Sequence, residues 1–227
     1  MASARKIIGL LNIGQSQAEP DYDFSRLGGD IIVESLCPLD AYSVSQLLED
    51  YKPRGDELPI SSSTSSGERI LLSQSALASE LQNGIREAEE RDFDAVVITC
   101  TGNFRLDANS LEIILPGQVL RQQAEKHRRR IRKAAVLVPV DEQQKLLRNR
   151  WLERLPSGVE VQAFTMAPGS SLGDCHKLGL SLQGMGIDCI IMDCFGYSLA
   201  QSKTLKASVN LVLNAKEATI QAIQSRS

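Results

Sequence analysis

Residues 94–102 read Asp94-Ala-Val-Val-Ile-Thr-Cys100-Thr-Gly102, and residues 188–196 read Asp188-Cys-Ile-Ile-Met-Asp-Cys194-Phe-Gly196. In both, an Asp stands six residues before the cysteine, aliphatic residues fill the intervening slots, a glycine follows two residues later, and an aromatic comes next, Phe104 and Tyr197. An apolar run this short, closed by a glycine turn, suits a buried parallel strand better than a helix. Two such strands at matching places predict a duplicated chain with one thiol at the carboxyl end of a strand in each half. Open α/β sheets bind their ligands at that end.

Outward from these segments, short β-branched runs alternate with longer amphipathic ones, the rhythm of parallel strands joined by crossover helices. Strands are expected over residues 7–13, 31–36, 69–72, 95–99, 134–139, 160–165 and 188–193, with a short one over 209–213. Helices are expected over 43–51, 76–91, 116–130, 141–154, 172–185 and 214–224. Asn214 is placed to cap the last helix, and Asp141 with Gln144 resembles a capping box. The fold class is α/β: two pseudo-symmetric lobes, each a parallel sheet flanked by helices, with an active-site cleft between them. The lobes are assigned to residues 1–114 and 115–213, with the terminal helix 214–227 packing back on the first. Residues 52–67 hold Pro53, Gly55, Pro59 and a Ser/Thr run. They read as a mobile loop, either a solvated connection or a lid. Arg54-Gly55-Asp56 within it is taken as chance.

A chain of 227 residues with 42% hydrophobic and 23% charged residues has the profile of a globular protein with a real core, which excludes disordered and fibrous classes. A net charge of -3 supplies no global field for nucleic acid or an anionic membrane. The apolar runs 95–98 and 187–192 fall far short of the roughly 20 residues of a membrane helix. The start, Met1-Ala-Ser-Ala-Arg-Lys, lacks a cleavage-site pattern, so a cytoplasmic location is expected. The densest basic stretch, His127-Arg-Arg-Arg130-Ile-Arg132-Lys133, is read as a solvated helix end favoured by the helix dipole, with nucleic-acid contact as the other reading.

The five cysteines, at 37, 100, 175, 189 and 194, are scattered and odd in number, so they are read as reduced thiols. A cysteine after an aliphatic run is ordinarily a small buried hydrophobe. The case for Cys100 and Cys194 rests on their recurrence at equivalent positions beside a turn glycine, which Cys37, Cys175 and Cys189 lack. At a strand end, backbone N–H groups from the following turn reach the sulfur and favour its thiolate. The same N–H groups, with Thr101, Asn103 and Tyr197, are placed to hold a carboxylate or to stabilise charge as an α-proton leaves.

Competing chemistries lack their residues. There are two histidines, so no Ser-His or Cys-His nucleophile pair is supplied. Cys175 and His176 are adjacent on a helix and point apart, and no zinc-ligand spacing occurs. Gly9, Gly14 and Leu27-Gly28-Gly29 match neither the dinucleotide fingerprint nor the P-loop. No cofactor and no metal are expected.

Three stretches carry a family resemblance: Ile8-Gly-Leu-Leu-Asn-Ile-Gly14-Gln15, Val138-Pro139-Val140-Asp-Glu142 and Met192-Asp193-Cys194-Phe-Gly196-Tyr197. They resemble the AroM family over most of the chain, and that family is similar to the aspartate/glutamate/hydantoin racemase superfamily. The resemblance implies one cysteine per lobe and no pyridoxal phosphate. It also implies a two-base reaction in which one thiolate takes the α-proton and the opposite thiol returns one to the other face. Cys100 and Cys194 match the two catalytic positions. The racemases carry Cys-Asn-Thr and Cys-Thr-His where this chain has Cys100-Thr101-Gly102 and Cys194-Phe195-Gly196. By the superfamily pattern Gly14, Gln15, Pro139, Val140 and Glu142 also line the site; Thr101, Gly102, Asn103, Phe195, Gly196 and Tyr197, beside the thiols, are expected to contact substrate.

The expected activity is a cofactor-independent racemase or epimerase acting on a small α-substituted carboxylate, an amino acid or a hydantoin-like compound. A cis-trans isomerase or decarboxylase on the same fold, or a non-catalytic small-molecule-binding protein, are the other readings. The partner expected is the small carboxylate, with no nucleic acid and no membrane. Further copies of the chain in a homo-oligomer are compatible with the sequence.

Overall fold

The structure, a computed structural model, describes residues 5–16, 22–55 and 57–226. Met1 to Ala4, read above for a targeting signal, and Asp56 of the Arg-Gly-Asp triplet lie outside the described residues. The chain divides into two compact units at the Leu115–Pro116 junction. A proline at the first position of a helix makes a ready boundary, because it forces the preceding residue extended while its own φ suits a helix start.

The first unit runs β1 (Lys6–Leu11), β2 (Ile31–Leu36), α1 (Val44–Asp50), β3 (Pro59–Ser63), β4 (Arg69–Ser73), α2 (Gln74–Glu90), β5 (Ala95–Ile98) and β6 (Glu112–Ile114). Its main sheet has the order β2-β1-β5-β6, all parallel. Residues Val96, Val97 and Ile98 of β5 are fully buried, since helices and neighbouring strands cover both faces of a central parallel strand. Leu77, Leu81 and Ile85 recur on one face of α2 and join Leu11, Leu36, Val96 and Ile98 in one core.

The second unit runs α3 (Pro116–His127), β7 (Lys133–Val138), α4 (Gln144–Leu152), β8 (Glu160–Thr165), α5 (Leu172–Gly184), β9 (Cys189–Met192), α6 (Leu199–Lys206), β10 (Leu211–Asn214) and α7 (Ala215–Gln224). Its parallel sheet has the order β10-β9-β7-β8, so β7 and β9 take the places that β1 and β5 hold in the first unit. The protein is thus α/β, with two parallel four-stranded sheets flanked by helices. Ala135, Leu137, Ile190, Met192 and Val212 of this sheet pack with Cys175 and Leu182 of α5 and Leu205 of α6.

Several expectations are corrected. The stretch 52–67, read as structureless, contains strand β3, which pairs antiparallel with β4 as a separate two-stranded sheet. Its burial alternates, with Ile60 and Ser62 turned inward, but serines carry little hydrophobic signal for that alternation. Strand β6 and helix α6 are additions to the expected elements; the first has three residues, and the second is polar, held by a capping box between Ser198 and Gln201. Asp141 does not cap α4. That helix starts at Gln144, and the Asp141 carboxylate instead accepts from the Gln144 amide at 2.8 Å and from the Thr165 hydroxyl. Asn214 does cap α7, accepting the N–H of Glu217 at 2.9 Å. Helix α7 packs closely on α3 and β10 of the second unit, whereas the sequence sets 214–227 against the first. Its apolar face, including Ala218, Ile220 and Ile223, follows that packing. Among the described residues no helix is long and apolar enough to cross a membrane.

Candidate active site

The aspartates that open the repeated segments have one task in both units. Asp94 accepts the backbone N–H of Ile7 at 2.7 Å and returns its own N–H to the Ile7 carbonyl at 2.9 Å. Asp188 accepts from Arg132 N at 2.9 Å and Lys133 N at 3.2 Å and returns its N–H to the Lys133 carbonyl at 3.0 Å. Each ties the start of the cysteine strand to the start of the central strand. That link sets the register that carries the cysteine to the opposite, carboxyl edge of its sheet.

At that edge the two thiols share a local geometry. Sγ of Cys100 accepts the backbone N–H of Gly102 at 3.2 Å, and Sγ of Cys194 accepts that of Gly196 at 3.4 Å. A dipole so directed stabilises a sulfur that carries negative charge. Glycine is required at 102 by space: a Cβ there would lie 2.9 Å from the ring of Phe104 and 3.3 Å from Sγ of Cys100. The thiols differ in access, Cys100 being 8% exposed and Cys194 half-buried.

The other three cysteines have different surroundings. Cys175 and Cys189 are fully buried, and burial pushes both thiols above their ordinary range. Burial raises Cys37 as well, opposed by an Asn12 side-chain amide that donates to its sulfur at 3.3 Å. These are packing thiols, held neutral.

The remaining site residues predicted from sequence separate by what their polar atoms do. Gly14 and Gln15 follow β1 on the same edge as Cys100, beside β3. A Cβ at Gly14 would lie 2.8 Å from the Ser63 carbonyl. Buried Gln15 donates its amide to the carbonyls of Leu39 (3.2 Å) and Tyr42 (2.8 Å) and accepts from Ser65 N at 3.1 Å, so it clamps the hairpin. Thr101 is half-buried beside Cys100, and Asn103 is exposed, its carbonyl accepting from Gln74 at 2.6 Å.

In the second unit, buried Pro139, half-buried Val140 and exposed Glu142 follow β7 on the edge shared with Cys194. Phe195 is buried and Gly196 exposed. Tyr197 is fully buried, its hydroxyl donating to the Met166 carbonyl at 2.8 Å, which makes it a support for the turn.

Two residues by the Cys194 turn are not among the site residues expected from sequence. Lys216, at the start of α7, is only 6% exposed and sets its ammonium 5.6 Å from the centre of the Phe195 ring, a cation–π arrangement. Asp193 is buried and accepts the indole N–H of Trp151 at 2.7 Å. Lys216 is far from Phe195 in sequence and reaches its ring through the β9–β10 pairing, whereas a lysine two residues after a helix cap is an unremarkable sequence feature. Among the described residues no group of three His, Cys, Asp or Glu side chains is arranged to hold a metal ion.

Solved structures share this fold at low identity. Glutamate racemase RacE1 from Bacillus anthracis aligns with a TM-score of 0.57 and 16% identity, over 99% of this chain and 82% of its own. Allantoin racemase from Klebsiella pneumoniae gives 0.56 and 13%, over 97% and 86%. Maleate isomerase from Pseudomonas putida S16, solved with maleate, gives 0.60 and 10%, over 97% and 91%. Among curated protein sequences no match was found. The AroM protein family matches residues 8–219, nearly the whole length, and the chain belongs to that family.

Proposed function

We propose that the protein is a cofactor-independent isomerase that inverts a stereocentre next to the carboxylate of a small molecule, with Cys100 and Cys194 as alternating base and acid. One observation carries this reading: both thiols end the equivalent strand of their unit, and each accepts the N–H of the glycine two residues on. In the reaction, one thiolate removes the α-proton and the C–H electron pair passes into an enolate-like system. The other thiol then delivers its proton to the opposite face, leaving the two sulfurs with exchanged protonation. Thr101 and Asn103 in the first unit, and Val140, Glu142 and Lys216 in the second, are the contacts assigned to substrate. The Lys216 ammonium is the natural counter-charge for its carboxylate. The likeness in fold to two racemases and a maleate isomerase supports an isomerase class of reaction.

The test is incubation of chiral amino acids, hydantoins and hydroxy acids in deuterated buffer. Deuterium entering Cα with loss of optical purity, abolished in both Cys100→Ala and Cys194→Ala, is the expected result. Turnover like the wild type in both variants refutes the two-thiol mechanism.

The unequal exposure of the two thiols favours one alternative, in which half-buried Cys194 alone adds to an unsaturated carboxylate and releases it as the other geometric isomer. Mass spectrometry separates the two: a covalent substrate adduct on Cys194, with activity surviving in Cys100→Ala, selects the addition mechanism.

A further inference from the structure

The basic stretch after α3 does more than end a helix. Arg128, Arg129 and Arg132 line a hollow of about 560 Å³ with Arg154, Leu155 and Pro156, which follow α4. Arg132 immediately precedes β7, and residues 154–156 come just before β8, parallel to it. The hollow therefore opens at the amino edge of the second sheet. Cys194 follows β9 at the opposite, carboxyl edge of that sheet.

Four guanidinium groups face one carboxylate there, that of Glu125, which is exposed and already paired with Arg128 at 2.6 Å. Among the described residues no carboxylate lies within ion-pair distance of Arg129, Arg132 or Arg154. Arg154 is fixed in place with its guanidinium 5.8 Å from the centre of the Trp151 ring. Burial, with the like charges of Arg121 and Arg150, outweighs the carboxylates of Asp193 and Glu153 and lowers it to about 10, so it stays charged at neutral pH. Holding like charges together is unfavourable until an anion enters. Guanidinium forks match phosphate oxygens in pairs, and the volume suits a small metabolite.

We propose that this arginine-lined hollow at the amino edge of the second sheet binds a small phosphorylated anion. The site is separate from the thiols, so it stands whether or not the isomerase reading does.

Isothermal titration of the full chain with inorganic pyrophosphate, and separately with ADP, tests it. Saturable binding is expected with at least one of them, weakened at least tenfold in the Arg129→Gln/Arg132→Gln double variant and unchanged in Cys100→Ala/Cys194→Ala. The two substituted arginines lie outside the core, and circular dichroism of the double variant verifies that it is folded. Arg154→Met is the second probe, expected to lose binding while its melting profile remains cooperative. No binding of either probe at millimolar concentration overturns the proposal. So does binding that the double variant retains, or a duplex oligonucleotide that binds through these arginines more tightly than either probe.

Discussion

The backbone N–H of Gly102 points at Sγ of Cys100 from 3.2 Å, and both residues are buried, with the ring of Phe104 closing the space above Gly102. A methyl group at 102 has no room without moving that ring or the sulfur. Gly102→Ala is therefore expected to cost about 1–3 kcal/mol of stability through overpacking. It should also lower isotope exchange about tenfold, which corresponds to roughly 1.4 kcal/mol in the barrier. Urea denaturation and the deuterium assay measure the two effects separately.

The five thiols should react with an aromatic disulfide in an order set by access. Cys37 and Cys194, both half-buried, modify first, Cys100 more slowly, and Cys175 and Cys189 only on unfolding, since both are fully buried. Peptide mapping after timed quenching gives the order; early labelling of Cys189 would contradict the packing described.

Those buried thiols also predict a pH dependence. Their folded values are raised above the ordinary 9.0 by burial, so the neutral form is favoured in the folded state. Their contribution to stability is complete below pH 9.0 and is lost as pH rises past it, when only the unfolded chain ionises. The limiting slope is about 1.4 kcal/mol per pH unit for each thiol. Denaturation between pH 8 and 10.5 should show the decline, and Cys189→Ala should flatten it.

Trp151→Phe removes the indole donor from the buried Asp193 carboxylate. Leaving that acceptor without its donor should cost about 1–3 kcal/mol, with more if the charge stays buried. Adding Asp193→Asn to Trp151→Phe should recover part of the loss, since a neutral amide is less costly to bury; thermal unfolding of the single and double variants is the check.

Gln15→Ala distinguishes a clamp from a substrate contact. It deletes two donated hydrogen bonds and one accepted, all to backbone. Faster amide exchange across β3 and β4 with unchanged KM is the expected pattern, whereas a KM effect with normal exchange would assign Gln15 to substrate.

Legibility from sequence follows the physics of each element. Strands β5, β7 and β9 are covered on both faces, so their sequences are nearly all apolar and their existence is plain. Pro59–Ser63 escapes a sequence reading because its inward positions include Ser62, whose hydroxyl donates to the Ile13 carbonyl at 2.7 Å and needs no apolar signature. The equivalence of the thiols is visible because a nine-residue stretch preserves it. The roles of Gln15 and Tyr197 are not, because their partners are backbone carbonyls reached only after folding. The arginine hollow is half visible: residues 127–133 stand out as a basic run, but Arg154 comes to them through the β7–β8 pairing.

Among the described residues the hairpin of β3 and β4 has no counterpart in the second unit, whose sheet reproduces the first strand for strand. The thiol edge of the first sheet thus carries a clamped serine-rich ribbon, and the turn after the second thiol carries a buried lysine over Phe195. Under the proposed isomerase reaction, flanks so unlike make the two directions of proton transfer inequivalent. Starting from opposite enantiomers, the protein would retain the abstracted hydrogen for different times before solvent replaced it, so label washout would distinguish the two directions of a reaction whose equilibrium constant is one.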